Sequence, residues 1–142
     1  MTDEVKILVI DDEPTVIESF KMILKIKDYD VVAFQDGEEA VKQFKAGEYS
    51  LAFIDMRLPR IDGLEILKKL KEKDPLIEVI VVTAYATEES HANAINLGAL
   101  EYLRKPFLME EVYELVERGL RRRQRSMISR KKSNSAGPGE IH

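Results

Sequence analysis

Five short apolar runs alternate with helix-periodic segments, and this alternation limits the possible folds more than any other feature of the chain. The runs are Val5–Ile10, Tyr29–Phe34, Leu51–Ile54, Ile77–Val82 and Ala99–Leu103. Each run is too short for a helix, and several are unbroken by charge, as in strands buried on both faces of a parallel sheet. The segment after each run is long enough to cross back over the sheet. The sequence therefore predicts an α/β fold with a doubly wound, five-stranded parallel sheet.

Capping residues indicate where several of the intervening helices begin or end. Pro14 suits a first helical turn. Asp36 is an expected N-cap with Glu39 in the capping-box position, and Thr87 is an expected N-cap followed by two acids. Gly47 is expected to end the second helix. The helix after Thr87 has a thin apolar stripe, so it is predicted to be among the less stable elements.

The charges are divided unevenly along the 142 residues. Residues 1–117 hold 14 of the 22 Lys and Arg and 25 of the 26 Asp and Glu, whereas 118–142 hold the other eight cations and Glu140. We predict an acidic folded domain over residues 1–120, followed over 121–142 by a basic helix extension and a disordered tail or linker. The basic segment lacks interleaved aromatic residues and is short for a DNA-binding domain, so nucleic acid is not an expected partner.

The composition and the missing motifs exclude several functions. The chain has no cysteine and only two histidines, His91 and His142, which removes thiolate catalysis and leaves little scope for His-ligated metals. His91 is expected on the exposed face of a polar helix. Neither of the usual glycine-rich phosphate loops is present. No apolar run approaches the length of a membrane span, and the N-terminus lacks signal-peptide character, so a cytoplasmic protein without a membrane partner is expected.

In open α/β sheets, ligands bind at the carboxyl ends of the strands, so the residues that follow each run are candidate site residues. Four of the five runs are followed by side chains that suit a phosphate group or a hard cation. They are Asp11 and Asp12, Asp55, Thr83 with Ala84, and Lys105.

Three carboxylates at one rim repel one another, and this repulsion would raise the pKa of at least one of them. A Mg²⁺ ion removes that cost, because it prefers oxygen ligands and tolerates several carboxylates. Asp55 could then be the nucleophile toward a phosphoryl group. The metal, the Lys105 ammonium and the Thr83 hydroxyl would stabilise the equatorial oxygens of that group.

Five motifs occur in order between about residues 5 and 120: I-L-V-I-D-D-E, F-I-D-M-R-L-P-R-I-D-G, V-V-T-A, E-Y-L and R-K-P-F. Together they resemble the response-regulator receiver domains of two-component signal transduction, the CheY-like superfamily. The resemblance implies the flavodoxin-like (βα)5 receiver fold with strand order 2-1-3-4-5. It also implies that the chain is mainly a phosphoacceptor with self-catalysed phosphotransfer and autodephosphorylation, and not an enzyme proper.

The resemblance assigns roles at the phosphorylation site. Asp55 would accept the phosphoryl group from a sensor histidine kinase or a phosphotransfer protein. Asp12 would be a direct Mg²⁺ ligand, Asp11 would act largely through a metal-bound water, and the backbone carbonyl of Arg57 would complete the metal site. Lys105 would bond the phosphate through a loop whose Lys105-Pro106 peptide is cis.

The resemblance also implies a switch. Thr83, with Ala84 beside it, would bind the phosphate, and Tyr102 would follow Thr83 inward. The surface made by the fourth helix, fifth strand and fifth helix would then change, which leaves open a homodimer through that surface. Transcription regulation through an output domain missing from this chain is one implied outcome.

Alternative interpretations remain. The segment Asp11-Asp12-Glu13-Pro14-Thr15 is similar to the D-x-D-x-T motif of haloacid-dehalogenase-type phosphatases, with Glu for the second Asp, and would make Asp11 the nucleophile. That fold usually needs a longer chain and a later acid pair. The acids at 11–13 could also be a helix charge cluster, Thr83 a plain strand residue and Tyr102 a core aromatic. A degenerate receiver scaffold is disfavoured because the acid, Thr and Lys set is complete.

Overall fold

A computed structural model gives the structure of residues 4–136. Five parallel strands form one sheet in the order β2-β1-β3-β4-β5, which confirms the predicted topology. The strands are β1 (Lys6–Ile10), β2 (Asp30–Phe34), β3 (Leu51–Asp55), β4 (Glu78–Thr83) and β5 (Glu101–Arg104). The helices are α1 (Pro14–Ile26), α2 (Gly37–Gln43), α3 (Gly63–Lys73), α4 (Glu88–Asn96) and α5 (Met109–Ala136).

Two apolar layers cover the two faces of the sheet. One layer packs α2 and α3 against side chains such as Leu8, Ile54 and Val81, and the other packs α1 and α5 against Phe53 and Ile80 on the opposite face. Every residue of β3 and β4 is buried. This two-sided burial explains why the apolar runs are continuous and do not alternate with polar residues.

Three of the predicted helix starts are confirmed. Pro14 occupies the first turn of α1, and the Asp36 carboxylate accepts hydrogen bonds from the backbone at the start of α2. Thr87 caps α4 in a reciprocal capping box with Ser90. The capping box predicted with Glu39 was wrong, because the Glu39 carboxylate accepts a hydrogen bond from Gln43 within α2.

The predicted end of α2 was also wrong. The helix ends at Gln43, and the backbone of Phe44 is already extended. Gly47 lies in the following turn with a φ of 83°, and its N–H donates to the buried Asp74 carboxylate at 2.9 Å. Gly47 therefore serves the turn before β3, where its left-handed backbone suits glycine.

The thin stripe expected for α4 is present. Ala94 is its only buried residue, and both Ile95 and Leu97, the residue that ends the helix, are exposed. Helix α4 thus buries little apolar area against the sheet.

Helix α5 continues without a break past the predicted boundary at residue 120. Arg122 in this extension lies with its Nε 3.0 Å from the Glu78 carboxylate and donates to the Gly98 carbonyl at 3.4 Å. Burial raises the pKa of Glu78, against the opposing charges of Lys71 and Arg122. The part of the predicted tail at 137–142 lies outside the described residues. Among residues 4–136, no helix combines the length and apolarity needed to cross a bilayer.

Candidate functional site

The strand ends place the predicted site residues at one rim of the sheet. Asp55 is the last residue of β3 and Thr83 the last residue of β4, while Asp11 directly follows β1. Because Ile10 pairs with Ile54 and Asp55 pairs with Val82, Asp11 lies level with Asp55, and Thr83 lies one residue further along its strand. The parallel register thus brings the sequence candidates together.

An acidic cluster occupies this rim. Asp11, Asp12, Glu13 and Asp55 each offer a carboxylate oxygen, and the four oxygens lie within 4.8 Å of one another. Asp11 and Asp55 are only 1% and 6% exposed, whereas Asp12 and Glu13 face solvent. Glu13 was not among the predicted site residues. Its position directly after the acid pair was the available signal.

Lys105 directly follows β5, and its side chain extends across the rim. Its Nζ lies 3.0 Å from Asp11 Oδ2, 3.4 Å from Asp55 Oδ2 and 3.3 Å from Glu13 Oε1. The Lys105-Pro106 peptide bond is cis, as the receiver resemblance implies. One ammonium group therefore contacts three of the four clustered carboxylates.

Burial shifts the protonation of this cluster. Burial and then the neighbouring Asp11 charge raise the pKa of Asp55, against the Arg57 N–H and the Lys105 ammonium. Burial likewise raises the pKa of Asp11, although the Glu13 N–H and Lys105 oppose it. Burial alone would lower the pKa of Lys105, but its bond to Asp11 and the charges of Asp11 and Asp55 raise it. The lysine therefore only partly offsets the cost of charging two buried carboxylates.

Asp11→Asn is expected to stabilise the metal-free protein by about 1 kcal/mol at pH 7. Because the folded pKa of Asp11 lies above its ordinary value, the protonated form favours folding, and that contribution disappears as the pH rises through the folded pKa. Urea unfolding in a chelator at pH 7 and pH 4 measures the effect, which should shrink at the lower pH. Asp62→Asn, at an exposed helix cap, is the control; equal shifts in both variants would contradict the prediction.

Thr83 and Arg57 lie beside the cluster. The Thr83 hydroxyl oxygen accepts a hydrogen bond from the Tyr85 N–H at 3.1 Å, which leaves the hydroxyl proton available. The Arg57 N–H donates to Asp55 Oδ1 at 3.2 Å, and the Arg57 guanidinium lies 5.0 Å from the centre of the Tyr85 ring. Ala84 is exposed and lines an open groove of about 560 Å³ together with Lys105.

Tyr102 lies away from the acidic cluster of the rim, on the face formed by α4, β5 and α5. It pairs with Val81, two residues before Thr83, and its half-buried ring packs edge-on against His91 with centroids 5.2 Å apart. His91 lies on α4 with its side chain 44% exposed, and it makes a surface contact with β5. Its Nε2 lies 2.5 Å from Glu101 Oε1.

The strand order, together with an acid cluster and a lysine at the carboxyl rim, defines a flavodoxin-like domain of the receiver class. The family model described as the response regulator receiver domain matches residues 7–117. The chain belongs to this family, and its function is accordingly one of signal transduction.

Similar proteins support this assignment. The alkaline phosphatase synthesis transcriptional regulatory protein PhoP of Bacillus subtilis is 34% identical over 136 residues, which are 96% of this chain and 57% of that protein. The transcriptional regulatory protein TrcR of Mycobacterium tuberculosis is 34% identical over 84% of this chain and 46% of its own length. This chain thus spans about half the length of these two relatives.

Solved structures agree with the fold. A CheY-like receiver domain from Methanospirillum hungatei superposes with a TM-score of 0.82 at 28% identity, covering 87% of this chain and 99% of that one. A receiver domain from Clostridium thermocellum gives 0.80 at 30% identity, covering 84% and 97%. These matches do not favour the haloacid-dehalogenase-type alternative.

Proposed function

We propose that Asp55 accepts a phosphoryl group from a phosphohistidine on a sensor histidine kinase or a phosphotransfer protein. The observation that carries the proposal is a buried carboxylate at a strand end, with Lys105 Nζ 3.4 Å away and three further acids within the same cluster. An Asp55 oxygen attacks phosphorus, the P–N bond breaks, and the imidazole leaves with the bonding electron pair. Lys105 stabilises charge on the transferred group.

The acidic cluster fits a Mg²⁺ ion by its donor chemistry, because it offers several carboxylate oxygens close together. Asp12, Asp55 and the backbone carbonyl of Arg57 are the proposed direct ligands, with Asp11 acting mainly through a metal-bound water. When bound, Mg²⁺ supplies charge neutralisation among the acids and on the phosphoryl oxygens. Lys105 already performs part of this neutralisation through its contacts with Asp11 and Asp55.

The signal passes from the phosphate to the surface made by α4, β5 and α5. Thr83, through its hydroxyl, and Ala84 bind the phosphoryl group. The Tyr102 ring then moves inward after Thr83. The free hydroxyl proton of Thr83 and the small apolar area buried by α4 support this proposal. The same surface is the proposed site of a homodimer.

The receiver domain occupies residues 1–120, and 121–142 form a basic helical extension with a tail or linker. The groove beside Lys105, lined on its other side by Thr15 and Ser19 of α1, gives a histidine-bearing partner access to the site. The protein acts in the cytoplasm. Regulation of transcription is proposed because these relatives, whose chains are longer, are transcriptional regulatory proteins.

The test is phosphorylation from a small donor. Incubation with acetyl phosphate and Mg²⁺ is expected to give a base-labile label that maps to the peptide containing Asp55. A chelator should reduce the label at least about tenfold, because the acid cluster then lacks its neutralising cation. A label that maps to Asp11 would support the phosphatase alternative, and labelling indifferent to the chelator would contradict the metal proposal.

A further inference from the structure

Helix α4 combines little apolar packing with a polar contact to β5. It buries only Ala94, so apolar packing holds it weakly against the sheet. Its side chain His91 reaches β5, where Nε2 lies 2.5 Å from Glu101 Oε1. This contact ties the middle of α4 to the first residue of the strand that carries Tyr102.

Glu101 connects all three elements of this surface. Besides His91 of α4, its Oε1 accepts the backbone N–H of Tyr102 at 3.0 Å, and its Oε2 lies 3.9 Å from the Arg118 guanidinium of α5. Although burial opposes it, the Tyr102 N–H together with His91 and Arg118 lowers the pKa of Glu101. These three neighbours therefore favour the charged form of the carboxylate.

His91 also touches the ring of Tyr102. The two rings meet edge to face at 63°, with centroids 5.2 Å apart. Within the described residues, the buried Tyr102 hydroxyl has no hydrogen-bond partner. The ring is thus held by its packing, including the contact with His91, and not by its hydroxyl. A movement of His91 therefore changes the packing around the Tyr102 ring.

Charged side chains from three elements surround His91. A cleft at this surface is lined by His91 and Tyr102 together with charged side chains from α4, β5 and α5. These are Glu88, Glu101, Arg104 and Glu111, with Arg118 behind Glu101. The His91 side chain itself is 44% exposed. Histidine ordinarily changes its charge between about pH 5 and 8.

We propose that His91 is a proton-dependent latch that positions α4 and Tyr102. As an imidazolium, it makes a charge-assisted hydrogen bond to Glu101 and fixes α4 against β5. As a neutral imidazole it makes a weaker bond, and α4 and the Tyr102 ring become more mobile. The latch sets how readily the surface of α4, β5 and α5 responds to phosphorylation. Only this effect on the response rests on the proposed function.

Amide hydrogen exchange of the full, unphosphorylated chain tests the latch. After correction for intrinsic rates, protection of α4 relative to α3 should be about threefold greater at pH 5.5 than at pH 8.0. His91→Gln keeps a neutral hydrogen-bonding side chain and should remove this pH difference, as should Glu101→Gln. His142→Gln, which changes the only other histidine, should leave the difference intact.

A pH difference that persists in His91→Gln, or no difference in the wild-type chain, would overturn the proposal. Circular dichroism of each variant establishes that it is folded. The exchange is measured without a phosphate donor or metal, so its outcome does not depend on whether Asp55 accepts phosphate. Failure of the latch and failure of the proposed function are therefore separate results.

Discussion

Asp55→Asn is expected to reduce base-labile labelling by acetyl phosphate and Mg²⁺ at least about 100-fold, because an amide cannot serve as the nucleophile. The substitution keeps the size of the side chain at the end of β3. It also removes one of two buried carboxylates that repel each other, so the variant should fold at least as stably as the wild-type chain. Quantitative labelling with peptide mapping provides the measurement.

Asp62→Asn is the matched control for this experiment. Asp62 ends the loop that follows β3, caps α3 by accepting the N–H groups of Leu64 and Glu65, and is exposed. Asn also serves as an N-cap, so labelling should stay near the wild-type level. Full labelling of Asp55→Asn would refute the assignment of the phosphoacceptor. Loss of labelling in Asp11→Asn alone would move the nucleophile to Asp11.

Gly63→Ala is expected to destabilise the fold by about 2–3 kcal/mol. A Cβ at Gly63 would clash with the backbone oxygen of Asp55 and would lie 2.8 Å from the Cα of Met56. These are backbone atoms at the end of β3, where the Gly63 N–H also donates to the Met56 carbonyl at 2.9 Å. Neither can move without displacing the strand end, so the clash cannot relax cheaply. Urea unfolding gives the free energy.

Gly37→Ala provides the comparison. Its Cβ would also be close to other atoms, but those are side-chain methyl groups, Ile66 Cδ1 at 2.5 Å and Ile61 Cγ2 at 2.8 Å. Because side-chain methyl groups can shift more easily than backbone atoms, we expect a loss of only about 1 kcal/mol. An equal loss in the two variants would show that the backbone contact at Gly63 is not the decisive one.

The apolar runs and helix periods predicted the fold class and the strand ends that meet at the rim, because both depend on patterns local to each element, whereas the strand order was implied by the receiver resemblance. Asp55 and Thr83 could be placed from their position at the end of apolar runs, since parallel strands present their carboxyl ends at one edge. The bridging position of Lys105 could not be predicted in detail. Its contacts with Asp11 and Glu13 depend on how the loop after β5 lies over the sheet.

The sequence-based predictions did not include the contacts between elements that are distant along the chain. His91 and Glu101 are ten residues apart, and their pairing depends on the rotation of α4 about its axis, which a thin apolar stripe does not specify. Arg122 and Glu78 are 44 residues apart, and nothing near either residue indicates that they pair. The misplaced end of α2 has a different cause, because Gly47 serves the turn into β3 and not the helix.

Helix α5 extends well beyond the ion pair between Arg122 and Glu78. The helix is fixed to β4 at Arg122 and runs on to Ala136, a distance of about 21 Å at 1.5 Å per residue. A rotation of α5 by about 5° around that fulcrum would displace Ala136 by about 2 Å. A small adjustment beside β5 would thus be enlarged at the far end of the helix, away from the phosphate-binding rim.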